Sequence, residues 1–152
     1  GNGIGMSGVA PEAGLTSMVI FDNDNNIAAN SEMLMEVFRY RSQEIGVQNH
    51  SWGTSMASPI RPSLLEEEGL NEAFSEGRGG LGTIIVKSAG NNRQPNPEVN
   101  HPGMGNANDD AFLNDPRMIA VAAVGHTGRA ALYSSKGACL LVAAPSAISW
   151  RG

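Results

Sequence analysis

The ten residues Thr83-Ile84-Ile85-Val86-Lys87-Ser88-Ala89-Gly90-Asn91-Asn92 decide how the rest of the chain is read. Residues 83–88 are β-branched and apolar enough for a strand, and they run into small, turn-forming residues. A nearly continuous apolar run of this kind suits a strand of a parallel sheet with both faces covered. Such sheets place their ligands beyond the carboxyl ends of the strands. Ser88-Ala89-Gly90-Asn91 is such an end, with side chains small enough for another backbone to approach.

Working outward, the same logic finds four more strands. Residues 15–21 are a β-rich apolar run that stops at Asp22. Residues 47–51 lead into Trp52-Gly53, residues 118–124 are apolar throughout, and residues 139–144 run up to Pro145. Helices lie between them. Leu34, Val37, Phe38 and Arg41 share one face of a helix expected over 31–45, with Gly46 where a C-cap belongs. Ser63-Leu64-Leu65-Glu66 is a capping box, so a second helix starts there and is expected to stop at Gly77. Residues 93–110, rich in Pro, Asn and Gly, read as a long surface loop. Strands alternating with helices predict an α/β fold in three layers, a mostly parallel sheet with helices on both faces. The strand ends are Phe21-Asp22, Ser51-Trp52-Gly53 and Ser88-Ala89-Gly90-Asn91, and the last two carry small and hydrogen-bonding groups that let another backbone approach.

The composition fits that class. The chain has 152 residues, 41% apolar and 16% charged, with 19 glycines. That is enough for one domain with a core. Net charge is −5 and there is no block of Lys or Arg, so neither nucleic acid nor a membrane surface is an expected partner. No apolar run is long enough to span a bilayer. A single cysteine, Cys139, permits no internal disulfide.

Several segments, in order, resemble the subtilisin-like serine proteases. They are Gly8-Val9-Ala10-Pro11, residues 47–53, residues 84–92, residues 118–124, Ala131-Leu132-Tyr133-Ser134-Ser135 and Leu141-Val142-Ala143-Ala144-Pro145. Ser51-Trp52-Gly53 and Glu76-Gly77-Arg78 lean toward the kexin-like and related bacterial members. The resemblance implies a subtilisin-like fold, endopeptidase activity on a peptide or protein substrate, and an extracellular setting. It implies that Asn91 donates its side-chain amide to an oxyanion. It also implies that Ser88-Ala89-Gly90 walls a specificity pocket, and that Ser51-Trp52-Gly53 pairs with the substrate backbone.

The base and acid of such an enzyme are not in the sequence. Neither a His-Gly-Thr-His stretch nor an Asp-Thr-Gly turn occurs, and His50, His101 and His126 all sit in other settings. The expectation is that residues 1–152 are the central part of a catalytic domain. The remainder of that domain would be the chain's partner and would carry the Asp, the His and the Ser. Gly53-Thr54-Ser55-Met56-Ala57-Ser58-Pro59 has the letters of the family's nucleophile motif, which makes Ser55 a motif-only candidate. Ser55 precedes Asn91, against the family order, and Pro62 bars the helix that should follow. The segment therefore reads as a loop.

Three further motifs bear on ligands. Asn2, Ile4 and Met6 resemble part of a calcium loop, half a site at best, since calcium takes six to eight oxygens. Asp22-Asn23-Asp24-Asn25-Asn26 is no EF-hand, because the sixth and twelfth loop positions, Ile27 and Met33, are wrong. Gly3-Ile4-Gly5-Met6-Ser7-Gly8 matches a dinucleotide fingerprint, which works only with a strand before it and a helix after it. A peptide-binding domain without a triad, or more remotely a dinucleotide-binding domain, is the alternative to a protease. Basic-residue specificity is not expected. Asp22 ends an expected strand, but no acid follows Trp52-Gly53.

Overall fold

The computed structural model describes residue 4 and residues 8–23, 29–53, 61–95 and 105–148. Helix α1 is Ser31–Arg39, strand β1 Val47–His50, helix α2 Leu64–Gly80, and strands β2, β3 and β4 are Ile84–Ser88, Ile119–Val124 and Leu140–Pro145. The strands form one sheet in the order β1-β2-β3-β4, every neighbouring pair parallel. Chain order equals sheet order, so each connection carries the chain to the next strand in the same sense. The α/β architecture expected from the alternation is present.

The run at 15–21 is not one of these strands. Residues 13–20 are irregular, and only Phe21 makes a β-bridge. Leu15 and Val19 are exposed, while Ile20 reaches the core and its carbonyl accepts from the Ala29 N–H at 3.3 Å. The composition suits a strand, but a strand needs a ladder, and the described sheet begins at β1.

Helix α1 starts where Asn30 caps it, its Oδ1 accepting from the Met33 N–H at 2.8 Å. Leu34 and Phe38, one turn apart, are its buried residues. The helix expected to reach residue 45 ends at Arg39. Tyr40 turns out of it with ψ 118°, and Arg41 has φ 43°. Arg41 then pairs with Glu44 on the surface instead of joining the apolar face, and Gly46 is no C-cap. The spacing of Arg41 continued the helical pattern only by coincidence.

Helix α2 follows expectation at both ends. Ser63 Oγ accepts from the Glu66 N–H at 3.3 Å, and Glu66 Oε2 accepts from the Ser63 N–H at 2.7 Å. Helical geometry stops at Gly77, and Arg78, Gly79 and Gly80 turn through positive φ into β2. The two helices pack closely because of Gly69. A Cβ there would lie 2.7 Å from the Met35 carbonyl oxygen.

Both helices cover the same face of the sheet. Leu34, Phe38, Leu70 and Ala73 meet Ile85, Phe112 and Met118 in one core cluster. A smaller cluster joins Ala89, Ala107, Leu113 and Ala120 under the 107–113 segment. On the opposite face, Val86, Ile119, Val121 and Val142 line an open cavity of about 940 Å³. Of the helical layers expected on both faces, the described residues supply one. No helix among them is long and apolar enough to cross a membrane.

Candidate functional site

The register of β1 on β2 builds the site. His50 lies beside Lys87. The segments that follow, Ser51-Trp52-Gly53 and Ser88-Ala89-Gly90-Asn91, therefore leave the sheet side by side at its carboxyl end. Ser51, Ser88, Ala89, Gly90 and Asn91 all line the open cavity. Trp52 does not. Its indole turns to the helical side and meets Phe112 edge-on at 5.7 Å.

The turn that carries Asn91 is tied down from both sides. Gly90 has φ 90°, and a side chain there would come 3.3 Å from Ser135 Oγ. Ala89 donates to the Val121 carbonyl at 2.9 Å, and the Gly90 carbonyl accepts from the Ser135 N–H at 3.0 Å. The Asn92 N–H donates to Ser135 Oγ at 3.1 Å. Arg93 donates to the Tyr133 carbonyl at 3.1 Å. Asn91 itself is exposed, with its neighbours fixed and its side chain bonded to no described residue.

Beneath Ser51-Trp52-Gly53 lies a chain of buried polar groups. Gln48 Nε2 donates to the Phe38 carbonyl at 2.7 Å, leaving Gln48 Oε1 to face His50 Nε2 at 3.1 Å. The Trp52 indole N–H donates to His50 Nδ1 at 3.1 Å. An indole nitrogen can only donate, so Nδ1 accepts and the ring hydrogen sits on Nε2, donating to Gln48. His50 is thus a neutral imidazole. Burial, and secondarily the Lys87 charge, lowers its pKa to about 4.

Lys87 closes the chain. It is 1% exposed in the middle of the sheet. Its ammonium donates to the Trp52 carbonyl, lies 3.2 Å from Asp110 Oδ2 and stands 4.7 Å from the centre of the Trp52 ring. Burial pushes its pKa down, and Asp110 opposes that push. Gly53 sits directly on the pair. A Cβ on it would meet Asp110 Oδ2 at 3.1 Å and Lys87 Nζ at 3.4 Å.

The family model of the subtilases matches residues 1–151. The chain belongs to the subtilase family. A search of curated proteins finds no match. Among solved structures, the chain is similar to the Aeromonas sobria serine protease in complex with its chaperone. The identity is 22% and the TM-score 0.59, over 81% of this chain and 24% of that one. It is also similar to proteases from Pseudoalteromonas arctica, at 24% identity and TM-score 0.58, over 80% of this chain and 33% of theirs. The nisin leader peptidase of Lactococcus lactis matches at 21% and 0.51, over 76% and 36%. At these identities the likeness is one of fold. The chain spans about a quarter to about a third of the length of these proteins.

In this subtilase chain the two expected binding segments come together. No other candidate among the described residues joins them. Ser55 and His101 lie outside the described residues, as do Asn2 and Met6 of the calcium loop. Ile4 is described, with an exposed side chain. It brings one backbone carbonyl, and among the described residues no three His, Cys, Asp or Glu side chains are grouped to hold a metal. The helix that a dinucleotide fingerprint requires after Gly8 is absent, since residues 8–23 contain no helical turn. Glu76-Gly77-Arg78 belongs to the end of α2, where Arg78 Nε donates to the Gly82 carbonyl at 2.6 Å. His126 is an exposed turn residue. Burial holds the Cys139 thiol above its ordinary pKa, so it stays protonated.

Sequence reading missed Lys87, Asp110 and Ser135. Lys87 did leave a signal. It shares strand parity with Ile85 and not with Ile84 and Val86, so a helix-covered face was bound to receive a charge. A buried ammonium demands a counter-charge. Ser135 left none, because its partner is a backbone N–H forty-three positions away.

Proposed function

We propose that residues 1–152 are the central part of the catalytic domain of a serine endopeptidase, working with the remainder of that domain, which supplies the aspartate, the histidine and the nucleophilic serine. The observation that carries this reading is the juxtaposition of Ser51-Trp52-Gly53 with Ser88-Ala89-Gly90-Asn91 at the carboxyl end of a parallel sheet. A peptide laid against Ser51-Trp52-Gly53 would pair with its backbone as an added strand, which gives affinity without reading sequence. Asn91 would donate its amide to the oxyanion of the tetrahedral intermediate. Its exposed position and anchored neighbours suit that task, because a donor fixed before the charge develops needs no reorganisation. Ser88, Ala89 and Gly90 would form the wall of the primary pocket.

The chain alone would be inactive. Among the described histidines, His50 is buried and already bonded on both ring nitrogens, and His126 is exposed on a turn. Neither is placed as a general base. Ser55 is not counted as the nucleophile in this reading. Calcium would be structural at most, and no step depends on it. An extracellular setting goes with the family resemblance. Sequencing the coding region on both sides of this segment, and assaying the complete protein on casein, tests the proposal. Hydrolysis by the 152-residue chain itself, abolished by Ser55→Ala, would overturn it and promote Ser55.

The absence of a placed base among the described residues favours a second reading, a peptide-binding domain without a triad. A fluorophosphonate probe on the complete protein separates the two. Labelling supports the endopeptidase, while peptide binding without labelling supports the binder.

A further inference from the structure

We propose that Lys87 is a positioning residue for the candidate substrate edge, holding Ser51-Trp52-Gly53 at its angle to the cleft through the Trp52 carbonyl. This rests on the endopeptidase reading for its functional meaning and on geometry for its substance.

A lysine in the middle of a covered sheet is costly, since a buried ammonium loses its hydration and needs partners for its charge and its three hydrogens. The partners Lys87 finds come from two elements. Asp110 belongs to the segment before β3, and the Trp52 carbonyl belongs to the segment leaving β1. The aromatic face of Trp52 lies over the same ammonium. Trp52 is therefore gripped at three points: its carbonyl by Lys87, its ring face by the Lys87 charge, and its indole N–H by His50. The His50 grip passes through Gln48 to the Phe38 carbonyl in α1. A Cβ on Gly53 would crowd Asp110 Oδ2 at 3.1 Å above the ion pair. A segment meant to add a substrate strand must present its backbone at a fixed angle, and this arrangement sets that angle from below. Lys87 acts through Trp52, whose backbone the substrate would meet.

The experiment compares Lys87→Met, which keeps the length and loses the charge, with Lys87→Arg, which keeps the charge. The first readout is the backbone order parameters of residues 51–53 in the 152-residue chain by NMR. In Lys87→Met these should fall from a rigid value of about 0.85 to below about 0.6, with α2 unchanged. The second is peptide hydrolysis by the complete protein. There, KM for extended peptide substrates should rise about tenfold while kcat changes less than about twofold, the signature of lost binding. Lys87→Arg should recover part of both. A folded Lys87→Met with rigid residues 51–53, or a loss of order spread evenly over the sheet, overturns the proposal. If Lys87→Met does not fold, Asp110→Asn decides by the same readouts, since it removes the counter-charge and keeps an acceptor. If the complete wild-type protein hydrolyses no peptide, the endopeptidase reading fails, and the order parameters alone decide the role of Lys87.

Discussion

The Trp52 indole N–H donates to Nδ1 of a buried His50 at 3.1 Å, so the histidine can take up a proton only by losing that bond. Protonated, the ring would present an N–H to an N–H and add a charge beside Lys87. The folded state therefore holds His50 neutral down to a pKa of about 4, against an ordinary 6.5. On acidification the unfolded chain binds this proton first, and stability falls wherever the unfolded state binds more protons. The contribution is complete above pH 6.5 and is lost between 6.5 and 4. It is on the order of 3 kcal/mol over that window. Urea midpoints measured from pH 7.5 to 4.5 should drop more steeply for the wild type than for His50→Gln, which cannot titrate. Parallel curves would show that His50 is not the responsible group.

Ser135 tests the other side of the cleft. Its buried hydroxyl accepts the Asn92 N–H. Ser135→Ala leaves that donor without its partner, at a cost of about 1–3 kcal/mol. The effect should be local as well as global. Hydrogen exchange at the Asn92 amide should accelerate beyond the change seen in α2. Equal acceleration everywhere would mean that the hydroxyl does not anchor the turn.

If the complete protein is the proposed endopeptidase, Asn91→Ala should lower its kcat by about 10²–10³ with little change in KM. That magnitude is the one known for the oxyanion asparagine of subtilisin, carried over to Asn91 on the family likeness. Asn91→Asp should be no better, since a carboxylate repels the developing oxyanion. An Asn91→Ala enzyme with wild-type kcat would remove Asn91 from the proposed chemistry.

Gly69→Ala tests the helical layer. The new methyl would meet the Met35 backbone at 2.7–2.8 Å, where no flexible side chain can move aside. Overpacking of this kind costs about 1–3 kcal/mol. The loss should appear as a lower urea midpoint with an unchanged slope. Neutral behaviour would mean that α1 and α2 can move apart at little cost.

What could be read in advance, and what could not, follows from the range of the interactions. Ser63 and Glu66 bond within one turn, so the start of α2 was visible in four letters. Residues 83–88 and 118–124 carried their own strand signal, and the strands found there pair in parallel, as a mostly parallel sheet requires. Arg41 and residues 15–21 misled, because a helical spacing and a β-rich run are necessary conditions only. Whether Arg41 turns left-handed, or whether the run at 15–21 finds a ladder, is settled by distant neighbours. In the candidate site, Ser51-Trp52-Gly53 and Ser88-Ala89-Gly90-Asn91 were legible as strand ends. The ties beneath them were not, since Lys87 meets Asp110 and Asn92 meets Ser135 only after folding.

The buried lysine also bears on how the sheet finds its alignment. Parallel strands of similar apolar residues can slide past one another, and a slip of one position turns every side chain to the opposite face. In β2 such a slip would carry Lys87 away from Asp110 and out over the open cavity, while Ser88 took its place against the helices. No apolar side chain in Ile84–Ser88 distinguishes the two alignments as sharply as that one ammonium. Lys87 thus works as a registration pin: the alignment that buries it with its counter-charge is also the one that sets His50 beside it, and so brings the two segments that follow them together.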